Sequence, residues 1–277
     1  MGQNYSKQSN NGKSDVNFKE QPFGMSLIPV ECIIFVLSKV PVSDIKNCRL
    51  VCRIWQQLID GHSVWKEKCL HENIFFPSRE VLNINEYPTN FFRSIYLKKP
   101  FNRNLLKNST GEENLSQWTV IENGGDKWLV EKEAVGVDPF PEDGIKTCFS
   151  TSYMNCSKSQ LIDLSREGVP QEVMDNARPK IEVSEWYAAR FDCGSTYELT
   201  VRLLDKNYEP QDEFHYGPQE VAQWQGRQWI QTKHLFEHYP PGVRYIQFRH
   251  SGKDTQFWAG HYGSKMCGAK VTFVFNK

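Results

Sequence analysis

The chain divides into stretches with different patterns of hydrophobic and polar residues. Residues 1–24 are polar and rich in Asn, Ser, Lys and Gln, with too little apolar surface to pack, so we expect a disordered tail. From Met25 onward, apolar residues recur at helical spacing after Pro29, which is tolerated in a first helical turn. The predicted apolar face of this helix consists of Leu27, Val30, Ile33, Ile34 and Leu37.

Two further helices are predicted before residue 72. One begins near Ser43, a good N-cap residue, and ends at Gly61, and Ser63 is placed to cap a short third helix. The stripe of the longer helix is Ile45, Cys48, Val51, Cys52, Trp55, Leu58 and Ile59, and the third helix holds Val64, Trp65 and Cys69. Three helices in roughly 45 residues make a small core. We expect this module to complete its core against a partner.

The pattern changes again further along the chain. Residues 73–99 are predicted to be helical and connecting, and Pro100 marks a boundary. Beyond it, alternating apolar and polar residues with frequent turn signals predict many short strands and a β-sandwich. The clearest strands are 181–186, 197–203, 244–249 and 271–275. The predicted fold class is α+β: three helices (25–72), a helical linker (73–99) and an antiparallel sandwich (100–277).

Composition narrows the possible functions. Thirty-three basic residues balance thirty-three acidic ones, which gives no general electrostatic reason to bind nucleic acid. No apolar run approaches the ~20 residues that span a bilayer, and we recognise no secretory leader. The eight cysteines include no CxxC pair, so buried free thiols are favoured over disulfides or metal ligands. We expect a cytoplasmic protein with no metal and no cofactor.

Motifs in the helical module resemble an F-box. They are Ile28-Pro29, then Cys48-Arg-Leu-Val-Cys-Arg-Ile-Trp55, then Trp65, in the family's order of an L-P start, L-x-x-V-C-[KR]-x-W and a closing Trp. Ile28 replaces the commonest Leu. The resemblance implies docking to the small adaptor of an SCF-type cullin–RING ubiquitin ligase through exposed apolar residues; a purely structural role in the core is the alternative. The docking candidates are Pro29, Ile33, Leu50, Val51 and Trp55.

Residues 100–277 resemble the F-box-associated domain of the sugar-recognising F-box proteins. The matching stretches include 100–106, 160–164, 197–204 and 254–263. The resemblance implies a jelly-roll-like sandwich whose end loops bind the chitobiose core of N-linked high-mannose glycans, in service of ubiquitination and endoplasmic-reticulum-associated degradation. The residues that match the glycan site are Tyr153, Asp192, Phe257 and Trp258. Phe257 replaces the usual Tyr and lacks its hydroxyl, and Ala259 stands where some binders carry Lys.

The residues give weaker, independent support for this site. Phe257 and Trp258 lie between Gly252 and Gly260 in a turn-rich segment, and loop aromatics are often recognition residues. The alternatives are that Trp258 packs under its own loop and that Asp192 caps the turn at Gly194.

Three remaining features leave alternatives open. Gly2 and Ser6 fit the myristoylation pattern, which implies peripheral membrane contact, although a chance match in a polar tail gives the same letters. The H-x-x-E-H letters at His234–His238 are typical of a metalloprotease helix, but Pro240 and an extended approach argue against a helix. Paired carboxylates such as Asp192 with Asp254 or Glu198 are weak evidence for glycoside hydrolysis.

Three functions therefore remain open at the level of sequence. The favoured one is a ligase adaptor that binds N-glycosylated clients. The second is the same adaptor recognising a protein surface, since Phe257 and Ala259 weaken the sugar pocket. The third is a sugar-processing β-sandwich enzyme, although no motif in the chain is typical of catalysis.

Overall fold

The computed structural model describes residues 28–275, which form a first compact unit that ends at Glu67 and a second that begins at Lys68. The helices up to residue 71 are α1 (Val30–Lys39), α2 (Val42–Cys48), α3 (Arg53–Asp60) and α4 (Ser63–His71). In the first unit, the buried apolar side chains are Ile33, Leu37, Ile45, Ile59, Val64 and Trp65. The indole Nε1 of Trp65 donates a hydrogen bond to the carbonyl oxygen of Ile59 at 2.8 Å, which satisfies its buried N–H group.

The prediction of one continuous helix from Ser43 to Asp60 is wrong. Helix α2 begins at Val42, with Pro41 as its N-cap, and the chain is extended at Cys52 before α3 begins. Arg49 closes the break by donating two hydrogen bonds to Asp60, from Nε at 2.7 Å and from Nη2 at 2.8 Å. Apolar residues continue on both sides of the break, so periodicity alone did not reveal it.

The segment predicted as a helical linker contains α5 (Arg79–Leu82) and α6 (Phe91–Lys98) with irregular chain around them. Its apolar set is buried as expected: Phe91, Phe92, Ile95 and Tyr96. The Phe75 ring lies 4.5 Å from that of Phe275 and 6.1 Å from that of Phe101, measured between centroids. These contacts lie within the second unit, so the segment packs with the chain that follows it. The predicted domain bounds stay a prediction.

Two five-stranded antiparallel sheets form the predicted sandwich, with the orders β1-β4-β9-β6-β7 and β2-β3-β10-β5-β8. The strands are β1 (Thr119–Asn123), β2 (Leu129–Glu131), β3 (Cys148–Ser150), β4 (Cys156–Asp163), β5 (Lys180–Ala188), β6 (Ser195–Leu204), β7 (Pro210–Val221), β8 (Ile230–Phe236), β9 (Tyr245–Asp254) and β10 (Lys265–Val274). A 3-10 turn at Pro100–Asn102 and a π-helical turn at Val173–Ala177 accompany them. All four clearest predicted strands are confirmed in location.

The core between the sheets combines apolar packing with a buried polar link. Tyr187 on β5 stacks on Tyr197 on β6 with ring centroids 4.0 Å apart. Glu185 on β5 accepts a hydrogen bond from the Tyr197 hydroxyl at 2.6 Å and lies 2.7 Å from Nδ1 of His250 on β9. Because Glu185 bridges from one sheet to two strands of the other, it fixes how the sheets face each other.

Two lysines are buried in the sandwich in different surroundings. Lys265 donates hydrogen bonds to Glu131, to Ser150 and to the carbonyl oxygen of His261. Lys158 has no hydrogen-bond partner among residues 28–275, but its Nζ lies over three rings, 3.0 Å from the centroid of Phe149, 4.2 Å from that of Trp128 and 4.6 Å from that of Trp118. Burial lowers the pKa of both ammonium groups, and the pKa of Lys158 falls well below its ordinary value.

All eight cysteines are free thiols, as predicted. Those at positions 69, 148, 156, 193 and 267 are buried, and burial raises the thiol pKa of Cys148 to about 12. Cys32 is exposed, which contradicts the expectation of uniform burial. Its position on α1 faces away from Ile33 and Leu37, the residues that form the core side of that helix.

Candidate functional site

Strand register gathers five loops at one end of the sandwich. Ser195, the first residue of β6, lies opposite Val221 on β7 and Asp254 on β9, and Lys265 on β10 lies opposite Ser150 and Ala188. The loops that start or finish at this edge are 124–128, 151–155, 189–194, 222–229 and 255–264. The candidates Tyr153, Asp192, Phe257 and Trp258 come from three of them, so the fold brings all four to one end.

Phe257 and Tyr153 form an aromatic pair at this end. Their ring centroids are 5.1 Å apart in an edge-to-face arrangement, and the Phe257 side chain is 70% exposed. Both line a cleft of about 490 Å³ together with Thr196, Lys253 and other residues. The cleft is open to solvent, and its lining combines the two rings with polar side chains.

Asp254 holds the segment that carries Phe257 and Trp258 in place. Its buried carboxylate accepts the backbone N–H of Phe257 at 2.5 Å and that of Trp258 at 3.3 Å. Burial raises the pKa of the Asp254 carboxyl, while these two hydrogen bonds act in the opposite direction. The backbone of Phe257 is left-handed, with φ of 60°, so the carboxylate stabilises a conformation that a bulky residue rarely adopts.

Trp258 remains 39% exposed, so it is not a plug buried beneath its own loop. Its ring lies edge-to-face with that of Tyr262, with centroids 5.5 Å apart. The loop is anchored at Gly260, whose N–H donates to Asp126 at 2.6 Å and whose carbonyl accepts from the Ser152 hydroxyl at 2.7 Å. A fixed, partly exposed indole suits stacking on a ligand.

Asp192 pairs with Arg190 rather than capping the turn at Gly194. The Arg190 guanidinium donates from Nε and Nη2 to the two carboxylate oxygens, both at 2.9 Å, and lowers the pKa of the Asp192 carboxyl. The same guanidinium lies 4.3 Å from the ring centroid of Tyr262. A continuous set of contacts therefore runs from Asp192 through Arg190 and Tyr262 to Trp258.

Three residues at this end of the sandwich were not predicted from the sequence. Arg190 and Tyr262 connect the predicted residues, and Trp224 in the 222–229 loop is 70% exposed. The signal for Trp224 was present, because it lies in a Gln-rich segment just before Gly226, as Trp258 lies just before Gly260. No local pattern distinguishes Arg190 or Tyr262, since their importance depends on contacts between loops.

The carboxylates considered for hydrolysis have structural partners. Asp192 is bound by Arg190, and Asp254 accepts backbone N–H groups. His234 of the H-x-x-E-H letters lies in strand β8, as the extended approach predicted, and its ring stacks on Phe214 with centroids 4.2 Å apart. The helical arrangement that a metalloprotease needs is therefore absent at this motif.

The first unit carries a separate apolar surface. Leu50 is 79% exposed and Val51 is 55% exposed in the break between α2 and α3, and Pro29 is exposed before α1. Further exposed apolar residues of the described part of this unit are Ile28, Val30, Phe35, Val36 and Val42. Exposure of this many apolar side chains on one small helical unit is typical of a binding face.

Two of the docking candidates are not exposed as expected. Ile33 is only 7% exposed, so the prediction that it contributes to an exposed apolar surface is wrong: its position on α1 faces the core with Leu37. Trp55 is half-buried, and its Nε1 is enclosed without a hydrogen-bond partner among the described residues. Gly2 lies outside the described residues. No helix in the described part of the chain is long and apolar enough to cross a membrane.

Comparison with known proteins assigns both parts of the chain. The family described as "F-box-like" matches residues 25–71, and the family described as "F-box associated region" matches residues 96–273. Human (Homo sapiens) F-box only protein 44 is 40% identical over 247 residues, which cover 88% of this chain and 94% of that protein. Bovine (Bos taurus) F-box only protein 6 is 41% identical, with coverage of 88% and 91%.

A solved structure of low sequence identity matches part of the chain. One structure, described as TmCBM61 in complex with β-1,4-galactotriose, is 16% identical and has a TM-score of 0.39. The match covers 62% of this chain and 100% of that one, and nothing about function follows from a likeness this weak. The sequence relatives, by contrast, align over nearly their whole length and include both predicted parts. The chain belongs to the family of F-box only proteins that carry an F-box associated region.

Proposed function

We propose that this chain is a substrate-recognition subunit of an SCF-type E3 ubiquitin ligase that binds the chitobiose core of N-linked high-mannose glycoproteins. Its clients would be ubiquitinated for endoplasmic-reticulum-associated degradation. The observation that carries the proposal is the placement, at one end of the sandwich, of the exposed Trp258, the Phe257–Tyr153 pair and the Asp192 carboxylate.

The chemistry of this end suits an N-acetylglucosamine ring. One face of the sugar is apolar and stacks on an indole, while its hydroxyl and amide N–H groups need acceptors. Trp258 provides the partly exposed indole, and Asp192 provides carboxylate oxygens whose direction is fixed by Arg190. Each carboxylate oxygen has more than one lone pair, so the bonds to Arg190 leave capacity for sugar hydroxyls.

Docking to the ligase adaptor is assigned to the exposed apolar residues of the first unit. Leu50 and Val51 are the strongest candidates because their side chains are exposed in the break between two helices, with Pro29 beside the start of α1. Trp55 contributes by supporting this surface, since the residue is half-buried and its Nε1 is enclosed. Through the adaptor the chain would join the cullin–RING ligase, and in this role it contributes recognition and no catalytic step.

A second candidate is recognition of a protein surface by the same loops. The 70%-exposed ring of Phe257 carries no hydroxyl donor, and Ala259 provides none beside it. Exposed Phe191, next to Asp192, adds further apolar area. These features favour apolar contacts with a polypeptide over polar contacts with a sugar, so the experiment has to separate the two.

The proposal places the chain in the cytoplasm, where SCF-type ligases meet glycoproteins returned from the endoplasmic reticulum. Acylation of Gly2 would add weak, reversible membrane contact, because one acyl chain gives only marginal binding. Metabolic labelling with a myristate analogue tests this part. Label in the wild type and none in Gly2→Ala supports it, and an unlabelled wild type contradicts it.

The test of the main proposal uses the full chain and one high-mannose glycoprotein in two forms, intact and with its glycans trimmed to leave no chitobiose. We expect the chain to capture the intact form together with the ligase adaptor, and to lose the trimmed form. Equal capture of both forms would support the protein-surface alternative. Capture of the glycoprotein without the adaptor would contradict the ligase assignment.

A further inference from the structure

Trp224 occupies a position in the β7–β8 loop that mirrors that of Phe257 in the β9–β10 loop. Strands β7 and β9 pair with opposite sides of β6, where Val221 and Asp254 both lie opposite Ser195. Trp224 follows Val221 at the same sequence distance as Phe257 follows Asp254. Both side chains are 70% exposed, and both backbones are left-handed, with φ of 68° for Trp224 and 60° for Phe257.

An indole that is mostly exposed on a left-handed backbone makes few stabilising contacts within the chain. That backbone conformation is unfavourable for a bulky residue, and such strain tends to persist at binding sites. Tyr208, at the opposite end of the sandwich, has a similar φ of 66° and is 55% exposed, but its ring stacks on Tyr245 with centroids 4.5 Å apart. Across residues 28–275, the Trp224 indole stacks on no other ring.

The Trp224 loop is fixed to the Asp192 loop. Gln223 donates a hydrogen bond from Nε2 to the backbone oxygen of Asp192 at 3.0 Å, and the N–H of Arg227 donates to the oxygen of Ala189 at 2.8 Å. At Gly194, a Cβ atom would lie 2.8 Å from the carbonyl oxygen of Val221, so only glycine allows the two loops to approach this closely. Trp224 is therefore held at a set position relative to the Asp192 carboxylate.

We propose that Trp224 is a second stacking platform for the same glycan, which contacts a sugar beyond the chitobiose core. The inference rests on the proposed function, since it places the core disaccharide at Trp258 and Asp192. Strands β7 and β9, which lead into the two loops, are two strand spacings apart, about 10 Å, with β6 between them. The ligand would be an oligosaccharide longer than a disaccharide.

The surroundings of Trp224 fit a sugar better than an apolar side chain. Gln225 and Gln228 are exposed beside it, and their amide groups both donate and accept hydrogen bonds. An aromatic ring bordered by such amides is suited to a ligand with one apolar face and many hydroxyl groups.

The test compares two ligands by calorimetric titration of the full chain: free chitobiose, and chitobiose that carries its mannose branches. A denatured glycoprotein that carries the same branched glycan is titrated alongside them. We expect Trp224→Ala to leave the affinity for chitobiose unchanged and to lower the affinity for the branched oligosaccharide by roughly tenfold. Tyr208→Ala, which removes an exposed left-handed aromatic from the other end, should change neither affinity. Circular dichroism of each variant reports whether the fold is kept.

The outcomes separate this inference from the proposed function. If Trp258→Ala loses both ligands while Trp224→Ala binds both like the wild type, the second platform is refuted and the core site stands. If Trp224→Ala weakens binding of a denatured glycoprotein but not of the free branched oligosaccharide, Trp224 contacts polypeptide and the inference is wrong. A wild-type chain that binds neither ligand overturns both.

Discussion

The guanidinium of Arg190 donates one hydrogen bond to each carboxylate oxygen of Asp192, and both bonds are 2.9 Å long. The two side chains are 15% and 22% exposed, so the pair is partly protected from water. Because Arg190 also lies against the ring of Tyr262, it couples the direction of the Asp192 carboxylate to the loop that carries Trp258. The candidate site is therefore a connected unit rather than four separate side chains.

Replacing Arg190 tests this coupling. Arg190→Met leaves Asp192 without its partner, so we expect the free energy of unfolding to fall by about 1–3 kcal/mol and glycan affinity to fall by roughly tenfold. Denaturant unfolding and calorimetric titration measure the two effects. The matched control is Arg202→Met, which breaks the exposed pair with Glu213 and should cost about 0–1 kcal/mol with no change in affinity. Unaltered affinity in Arg190→Met would refute the coupling.

The ionisation of Asp192 predicts how binding depends on pH. Arg190 lowers the pKa of this carboxyl below its usual range, so the group stays ionised in the folded protein below the ordinary value of about 3.9. Its contribution to stability is complete above about pH 3.9 and is lost only as pH falls through the lower folded pKa. Titrations at pH 7 and pH 5 should therefore find no loss of affinity attributable to Asp192. Asp192→Asn should bind more weakly than wild type by the same factor at both pH values.

The two buried lysines predict opposite effects of the same substitution. Lys158 has no hydrogen-bond partner among the described residues, so Lys158→Met should raise the free energy of unfolding at pH 7 by about 1–3 kcal/mol. Lys265→Met leaves Glu131 and Ser150 without their donor and should lower it by a similar amount. Urea unfolding of both variants measures this contrast. A loss of stability in Lys158→Met would show that the rings of Phe149, Trp128 and Trp118 stabilise the Lys158 ammonium by more than its burial costs.

The gain in the free energy of unfolding from Lys158→Met should also depend on pH. Burial lowers the folded-state pKa of Lys158, so below about pH 10.4 the unfolded chain binds a proton that the folded chain resists. The wild type therefore loses stability relative to the Met variant as pH falls from about 10.4 toward the folded pKa. We expect the gain at pH 7 to exceed that at pH 10. A gain that is equal at both values would contradict a lowered pKa.

The apolar surface of the first unit predicts a loss of adaptor binding without a loss of fold. Leu50 is 79% exposed, so Leu50→Glu should change the free energy of unfolding by no more than about 0.5 kcal/mol. In the complex, an exposed leucine that becomes buried contributes about 1.5–3 kcal/mol, so adaptor affinity should fall at least tenfold. Leu161→Glu, at a 47%-exposed position on β4, is the control and should bind the adaptor normally. Normal adaptor binding by Leu50→Glu would exclude this surface.

Much of the fold was predictable because its signals are local. The alternation at Tyr197, Leu199 and Val201 requires a strand with one buried face, and all three side chains are fully buried in β6. The break before Arg53 was not predictable from periodicity, since apolar residues continue on both sides of it. Ile33 belongs to the predicted apolar face of the first helix, and its burial in α1 agrees with the alternative of a structural role in the core.

The candidate site was likewise predictable only in part. Aromatic residues in glycine-bounded loops marked Phe257 and Trp258, and strand register brings their loop to the end of the sandwich where Phe257 packs on Tyr153. The connections supplied by Arg190 and Tyr262 depend on how separate loops meet, and no spacing in the sequence reports this. The exposure and the left-handed backbone of Trp224 could not be predicted, because the sequence marks only its place just before Gly226.

Calorimetric titration of the full chain with chitobiose tests most directly whether this end of the sandwich recognises glycans. We expect the wild type to bind and Trp258→Ala to bind at least tenfold more weakly, since a ring stacked on a sugar and its buried area are lost together. Tyr208→Ala should bind like the wild type. A wild-type chain that captures the ligase adaptor but shows no binding of chitobiose, or Trp258→Ala with undiminished affinity, would contradict recognition of glycans by this end of the sandwich.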